Sequence, residues 1–225
     1  MTTPAPDYRV PALDKAFDVL ELLADSARPL SQTEIAEATG RTIGTLFRVL
    51  ATLEARGWLL REPDSGLYSF SMAAFDLAHR QPPLRGLLAA SLTPMRALSE
   101  RVRQSCNLSV LDAGAVRVIA QVESPADFGY RVRVGALFPA DTTATGAVLT
   151  GDARELRRDD PLQAGITDLV VAIPDGRGAP RAALTVPYVA TSFSRIGGDE
   201  VMAAAVQTAA EIAARLAGDS QSIAR

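Results

Sequence analysis

The side chains best suited to recognition lie between residues 41 and 61. If Leu46, Leu50 and Leu53 form the inward side of a helix, a rotation of about 100° per residue groups Arg41, Thr45, Arg48 and Thr52 on the outward side. An arginine there can address guanine edges or phosphates, and a threonine can offer its hydroxyl or methyl to bases or backbone. Thr42 stands at the start of that helix, and Gly44 lies near the same face, where a missing side chain permits close approach to a groove. From Arg41 to Arg61 there are four arginines against one acid, Glu54, a local charge of +3 in a chain whose formal net charge is -3. A nucleic-acid binder with an acidic balance must concentrate positive charge in this way. Ser31, Gln32 and Thr33 open the preceding helix, where free amides favour a phosphate, and Arg61 with the PDSG hairpin is placed to touch backbone or minor groove. The competing reading is a solvated arginine face, or a face that binds protein.

Other chemistry is poorly provided for. The single histidine, His79, has no clear catalytic partner, and the single cysteine, Cys106, excludes an intrachain disulfide. There is no GxxxxGK phosphate loop and no dinucleotide fingerprint. The expectation is no enzyme, no cofactor and no metal. The start, MTTPAPDYRV, lacks the basic and apolar stretches of a secretory signal, and runs such as LVVAI are too short to cross a bilayer. A cytoplasmic protein with no membrane partner follows as the expectation.

The elements that must position these residues can be read from periodicity and caps. Residues 12–24 form an amphipathic helix with Leu13, Ala16, Phe17, Leu20 and Leu23 on one face. Ser31 and Glu34 have capping-box spacing, and Gly40 stands where a helix ends. A third helix runs from near Thr42 to about Ala55, burying Leu46, Val49, Leu50 and Leu53, and Gly57 ends it. WLLRE and LYSFS are strands around the PDSG turn. Three helices and a hairpin complete a small domain. The bridging stretch AAFDLAHRQPPL is interrupted at Pro82 and Pro83, and Arg85 to about Arg103 is a long helix with a kink or break expected at Pro94.

The second half alternates. NLSVLD, VRVIAQV and YRVRV read as strands, TTATGAVLT as a short helix, and DLVVAI and RAALTVPYVA as strands separated by PDGRGAP. A closing helix near 198–217 turns Val201, Ala205, Ile212 and Leu216 toward a sheet. With 225 residues, 48% of them hydrophobic, the chain has material for two modest domains, and the fold class is α+β.

The stretch ALDKAFDVLELLADSARPLSQTEIAEATGRTIGTLFRVLATLEARGWLLREPDSGLYSFS resembles the N-terminal domain of IclR-type bacterial regulators. Their recognition helix has the form STxxRLLxTLxxxGxL; here it reads GTLFRVLATLEARGWL, so Thr45, Arg48 and Gly57 match and Gly44 replaces the usual serine. CNLSVLDAGAVRVIAQVESP and VGALFPADTTATGAVL are similar to the start of the family's effector-binding domain and to its RVGxxxPLHATAxGKAxL segment. The departures are Asp141 for the family histidine, Ala147 for the lysine, Asp168 for a frequent cysteine, and Ala172 for the proline after it. A stretch is also missing before Gly165.

The resemblance implies a flexible tail at 1–9, a winged helix-turn-helix DNA-binding domain at 10–72 and a linker at 73–85. A GAF-like effector-binding and oligomerisation domain follows at 86–219, shortened between about 150 and 164. By motif it places an effector among Asn107, Gly135, Ala136, Leu137, Phe138, Asp141, Thr142, Thr143, Gly146, Asp168 and Val170. Two carboxylates, Asp141 and Asp168, would repel an anionic effector if ionised, so a neutral or amine-bearing ligand stays open. The implied function is a repressor controlled by a small metabolite. It would act on double-stranded DNA with an inverted-repeat operator, as a homodimer or a dimer of dimers. The alternatives are a ligand-independent regulator, or a metabolite-binding or scaffold protein with a degenerate pocket.

Overall fold

The computed structural model describes residues 10–80, 82–127, 129–160, 164–190 and 196–223. The tail expected at 1–9 lies outside them. The chain divides into two compact units, Met1–Gln81 and Pro82–Arg225.

The first unit holds α1 (Pro11–Asp25), α2 (Gln32–Ala38), α3 (Ile43–Ala55), the hairpin β1 (Leu59–Arg61) and β2 (Tyr68–Phe70), and α4 (Ala73–Arg80). Pro11 starts α1 where a missing N–H costs nothing. The capping box of α2 is formed in full: the Glu34 amide donates to Ser31 Oγ at 3.2 Å, and the Ser31 amide donates to Glu34 Oε2 at 2.8 Å. A hydrogen bond from Arg28, then those from Ser31, hold the Glu34 carboxyl at about 2. Val19, Leu23, Ile35, Leu46, Leu50, Leu53, Leu59 and Tyr68 make the core.

One expected face is corrected. Leu13 and Phe17 share the expected apolar face with Ala16, Leu20 and Leu23, yet they are 54% and 58% exposed. The apolar stripe of α1 is wider than the core needs. The helix is turned so that Val19 and Leu23, flanked by Ala16, Leu20 and Leu22, face inward, leaving Leu13 and Phe17 on its flank.

The second unit is a six-stranded antiparallel sheet with helices on both faces. Its elements are α5 (Pro82–Val102), β3 (Cys106–Asp112), β4 (Ala115–Val122), β5 (Leu137–Pro139), α6 (Ala144–Thr150), β6 (Glu155–Asp159), β7 (Ile166–Pro174), β8 (Pro180–Val189) and α7 (Gly198–Ile223). The strand order is β5-β4-β3-β8-β7-β6. One face is covered by α5 and α7 over Leu98, Leu108, Leu169, Ile173, Leu184 and Ile212. Alanines 204, 205 and 209 let α7 lie close. The other face carries α6 over Val116, Val148, Val170 and Ala183.

Three further expectations change. Pro94 does not break α5, which runs through it with Met95 and Leu98 buried beside it. Their apolar burial offsets the hydrogen bond that a mid-helix proline removes. YRVRV is not a strand. The edge of β4 is taken by β5, through Val116↔Phe138, while the Gly135 amide donates to the Val118 carbonyl and ends the approach of the chain from 130 to 134. Conversely, ELRRD, given no element in the sequence reading, forms strand β6 paired with β7 within the stretch expected to be shortened. Its alternation is carried by Leu156 and Arg158, half-buried between exposed Glu155, Arg157 and Asp159.

Candidate functional sites

The first candidate site is the outer side of α3. Thr42 caps that helix, accepting from the Thr45 amide at 3.4 Å, and Thr45 Oγ1 donates back to the Thr42 carbonyl at 2.8 Å. Gln32 Nε2 donates to the Ile43 carbonyl at 3.3 Å, tying the start of α2 to the start of α3. Arg48 and Thr52 are exposed on the same side, with Thr52 Oγ1 donating to the Arg48 carbonyl at 2.7 Å. A Cβ added at Gly44 would meet nothing within 4 Å, so packing does not require glycine there and the backbone stands bare toward solvent.

Other members of the set are engaged within the fold. Arg41 Nε donates to Asp18 Oδ2 of α1 at 3.1 Å, and its terminal nitrogen completes an ion pair with the same carboxylate. Ser31 is committed to its capping box, whose Glu34 carboxylate occupies part of the amide end of α2, while Thr33 is exposed. Arg61 lies over the Tyr68 ring, 5.5 Å from its centroid, a cation–π contact that steadies the hairpin. The structure adds two residues to this face: Ile43 and Phe47 are 47% and 62% exposed. Their i, i+4 spacing, off the Leu46–Leu50–Leu53 side, was the available signal.

The second candidate site is a cavity of about 100 Å³ on the α6 face of the sheet. Period-2 alternation builds its floor. Asn107 and Ser109 project from β3, Val116 and Val118 from β4, and Thr185 and Pro187 from β8. Asp168 of β7 stands opposite Pro187 in the ladder. Thr143 and Thr145 enter from α6 and its cap, Phe138 from β5, Tyr130 and Val132 from the segment before it, and Asp160 from beyond β6. Ser109 Oγ donates to Asn107 Oδ1 at 3.2 Å, and the Thr145 and Thr185 hydroxyls share a hydrogen bond of 3.0 Å.

Burial, then the neighbouring Asp160, pushes the Asp168 carboxyl up to about 6, against the opposing pull of Arg158. The Tyr130 phenol is raised by burial and by the same two carboxylates. Arg158 faces Asp168 across the β6–β7 ladder, but its Nη2 donates to the Thr142 carbonyl at 3.0 Å, and its Nε is buried without a hydrogen bond. Burial pushes the Cys106 thiol up to about 12, so it is an inert part of the core.

Of the residues assigned to an effector by motif, Asn107, Phe138, Thr143 and Asp168 line this cavity. Gly135 sits in the turn before β5 at φ 89°, and Ala136 and Leu137 follow it along the sheet edge. Asp141 is exposed beside a separate shallow depression with Gly114 and Ala147, and Thr142 is exposed. Gly146 is a packing residue, since a Cβ there would lie 1.9 Å from the Ala140 carbonyl oxygen. Val170 is buried beneath α6. Motif carry-over missed Ser109, Thr145, Asp160 and Thr185, among others, although i, i+2 spacing from Asn107 marks the first of them. Among the described residues, no group of three or more His, Cys, Asp or Glu could hold a metal ion, and no helix is long and apolar enough to cross a membrane.

Comparison with known proteins gives two family models. Residues 12–63 match the IclR helix-turn-helix domain, and residues 85–159 match the C-terminal domain of IclR bacterial transcriptional regulators, together more than half of the chain. The chain is 30% identical over 141 residues to a glycerol operon regulatory protein of Streptomyces griseus, covering 63% of this chain and 56% of that protein. It spans about half the length of the curated relatives it matches. Its fold is similar to that of an IclR regulator from Alicyclobacillus acidocaldarius, with TM-score 0.65, 23% identity and coverage of 93% and 100% of the two chains. An IclR homolog from Microbacterium hydrocarbonoxydans, solved with 4-hydroxybenzoate, superposes with TM-score 0.73 at 19% identity, covering 92% and 99%.

Proposed function

Since the chain belongs to the IclR family of bacterial transcriptional regulators, we propose that it is a sequence-specific DNA-binding repressor controlled by a small metabolite. The observation that carries this reading is the outer side of α3, where Thr45, Arg48 and Thr52 are exposed beside the bare backbone of Gly44. In the major groove, Arg48 addresses a base edge or phosphate, and the helix comes close because Gly44 adds no bulk. The hairpin, braced by Arg61 on Tyr68, lies against the backbone as a wing. Arg41 serves first as the tie between α3 and α1, through Asp18.

One such unit reads too few base pairs to select a long operator, so the active form is a homodimer or dimer of dimers on an inverted repeat. The exposed stripe of Leu13 and Phe17 on α1, with Val10 at its N-cap, supports self-association. The sheet unit acts as a GAF-like effector domain in a cytoplasmic protein. Its cavity can control DNA binding only if its occupant prefers one arrangement of the paired readers.

A second reading is favoured by one observation. At about 100 Å³ the cavity is small beside ordinary ligand pockets of roughly 300–1,000 Å³, which suits a ligand-independent regulator with a reduced sensor. A screen of small metabolites against the operator complex separates the two: release by a compound that needs an intact Asp168 supports control, and binding indifferent to every compound supports the second reading.

A further inference from the structure

We infer that the cavity of the sheet unit takes a small hydroxylated ammonium compound, an amine carrying a hydroxyl group, rather than a carboxylate. The inference rests on the reading of this unit as the effector-binding half. Three observations carry it.

The first is charge. Asp160 and Asp168 line the cavity, and no Lys, Arg or His does so among the described residues. The nearest cation with a defined relation to Asp168 is Arg158, whose guanidinium donates toward the Thr142 carbonyl. The Asp168 carboxylate makes no hydrogen bond among the described residues and is left for an incoming donor. An anion here would meet the Asp168 carboxylate in a partly desolvated space, whereas an ammonium gains from it.

The second is hydrogen-bonding capacity. The Thr145–Thr185 hydroxyl pair and Ser109 with Asn107 form a polar wall on the sheet floor. A hydroxyl on the occupant can both donate to and accept from such a wall. Beside it, Val116 and Val118 on the neighbouring strand, with Phe138, suit methylene groups. The third is size. An apolar cavity of about 150 Å³ holds benzene, so one of about 100 Å³ holds roughly six non-hydrogen atoms or fewer.

Three probes of matched skeleton test this on the full chain: ethanolamine, ethylene glycol and glycolate, followed by calorimetric titration at about pH 8, above the raised titration of Asp168. Ethanolamine is expected to bind about tenfold more tightly than glycol, with glycolate weakest. Asp168→Asn should remove that preference, bringing ethanolamine and glycol to within about twofold of each other. At about pH 5, where Asp168 takes up its proton while facing Asp160, Tyr130 and Arg158, the preference should fall in the same way. Glycolate binding as tightly as ethanolamine overturns the inference, as does the absence of binding by any of the three.

Operator binding measured alongside keeps the two claims apart. Ethanolamine that binds through Asp168 without altering DNA affinity supports the ligand class and removes metabolite control. Glycolate that releases the operator supports control and overturns the ligand class.

Discussion

The two units differ in where their candidate sites face. In the first unit the core is complete beneath α3, and the groups proposed to meet a partner point outward: Thr45, Arg48 and Phe47 are exposed over buried Leu46 and Leu50. In the second unit the polar groups point inward, into a cavity whose floor is the sheet itself, and Asp168 is held at a raised pKa by its burial. Substitutions at the recognition face of the first unit should therefore alter binding with little effect on stability. Substitutions at the cavity of the second should alter both.

Core and close-packing substitutions break the comparison most severely. Leu50→Ala, at a side chain 1% exposed, should cost the first unit about 2–5 kcal/mol and abolish DNA binding while circular dichroism retains the signal of the sheet unit. Gly146→Ala should do the reverse, unsettling α6 against Ala140 while leaving the first unit folded. Limited proteolysis of each variant distinguishes the two outcomes.

Asp168→Asn comes next. Because the folded carboxyl titrates at about 6 rather than its ordinary value near 4, folding binds a proton that the unfolded chain releases. The corresponding stability is fully present below the unfolded value and is lost as pH rises through about 6. The amide should therefore stabilise the fold at about pH 8, by an amount on the order of 2 kcal/mol and visible as a raised melting temperature, and bring no gain at about pH 4. A melting temperature lowered equally at both would show that Asp168 contributes packing or bonding instead.

Arg48→Ala should leave melting unchanged and weaken operator binding by about 1–3 kcal/mol if the guanidinium reads a base pair. An equal loss on scrambled DNA would make it a phosphate contact. The smallest effect is expected from Asp18→Asn. Losing its partner, Arg41 becomes available to phosphate, so binding to any duplex should tighten slightly and the salt dependence steepen by about one counterion. No change in that slope would mean Arg41 keeps its place without the ion pair.

The same contrast explains what could be read from the sequence. The capping box at Ser31 and Glu34, the glycine stop at Gly40 and the Leu46–Leu50–Leu53 side are all local patterns. The structure places them where periodicity and spacing put them. Long-range partners were not visible in the same way. Nothing near Arg41 in sequence announces Asp18, and helical periodicity alone could not show that Leu13 and Phe17 fall outside the face chosen by the core. In the sheet unit, the cavity depends on β8 lying between β3 and β7, a neighbour relation between residues some 80 positions apart that no window of sequence contains. Thus Asn107 and Asp168 could be named by motif, while Thr185, Tyr130 and Asp160 could not.

The most direct test of the central claim is quantitative binding of the full chain to the intergenic DNA beside its gene, titrated with salt and compared with a scrambled duplex of equal length. The account predicts a footprinted site bound at least about 10³-fold more tightly than scrambled DNA, with that preference reduced by Arg48→Ala. Binding that ignores sequence at every salt concentration, and is indifferent to Arg48, would contradict it.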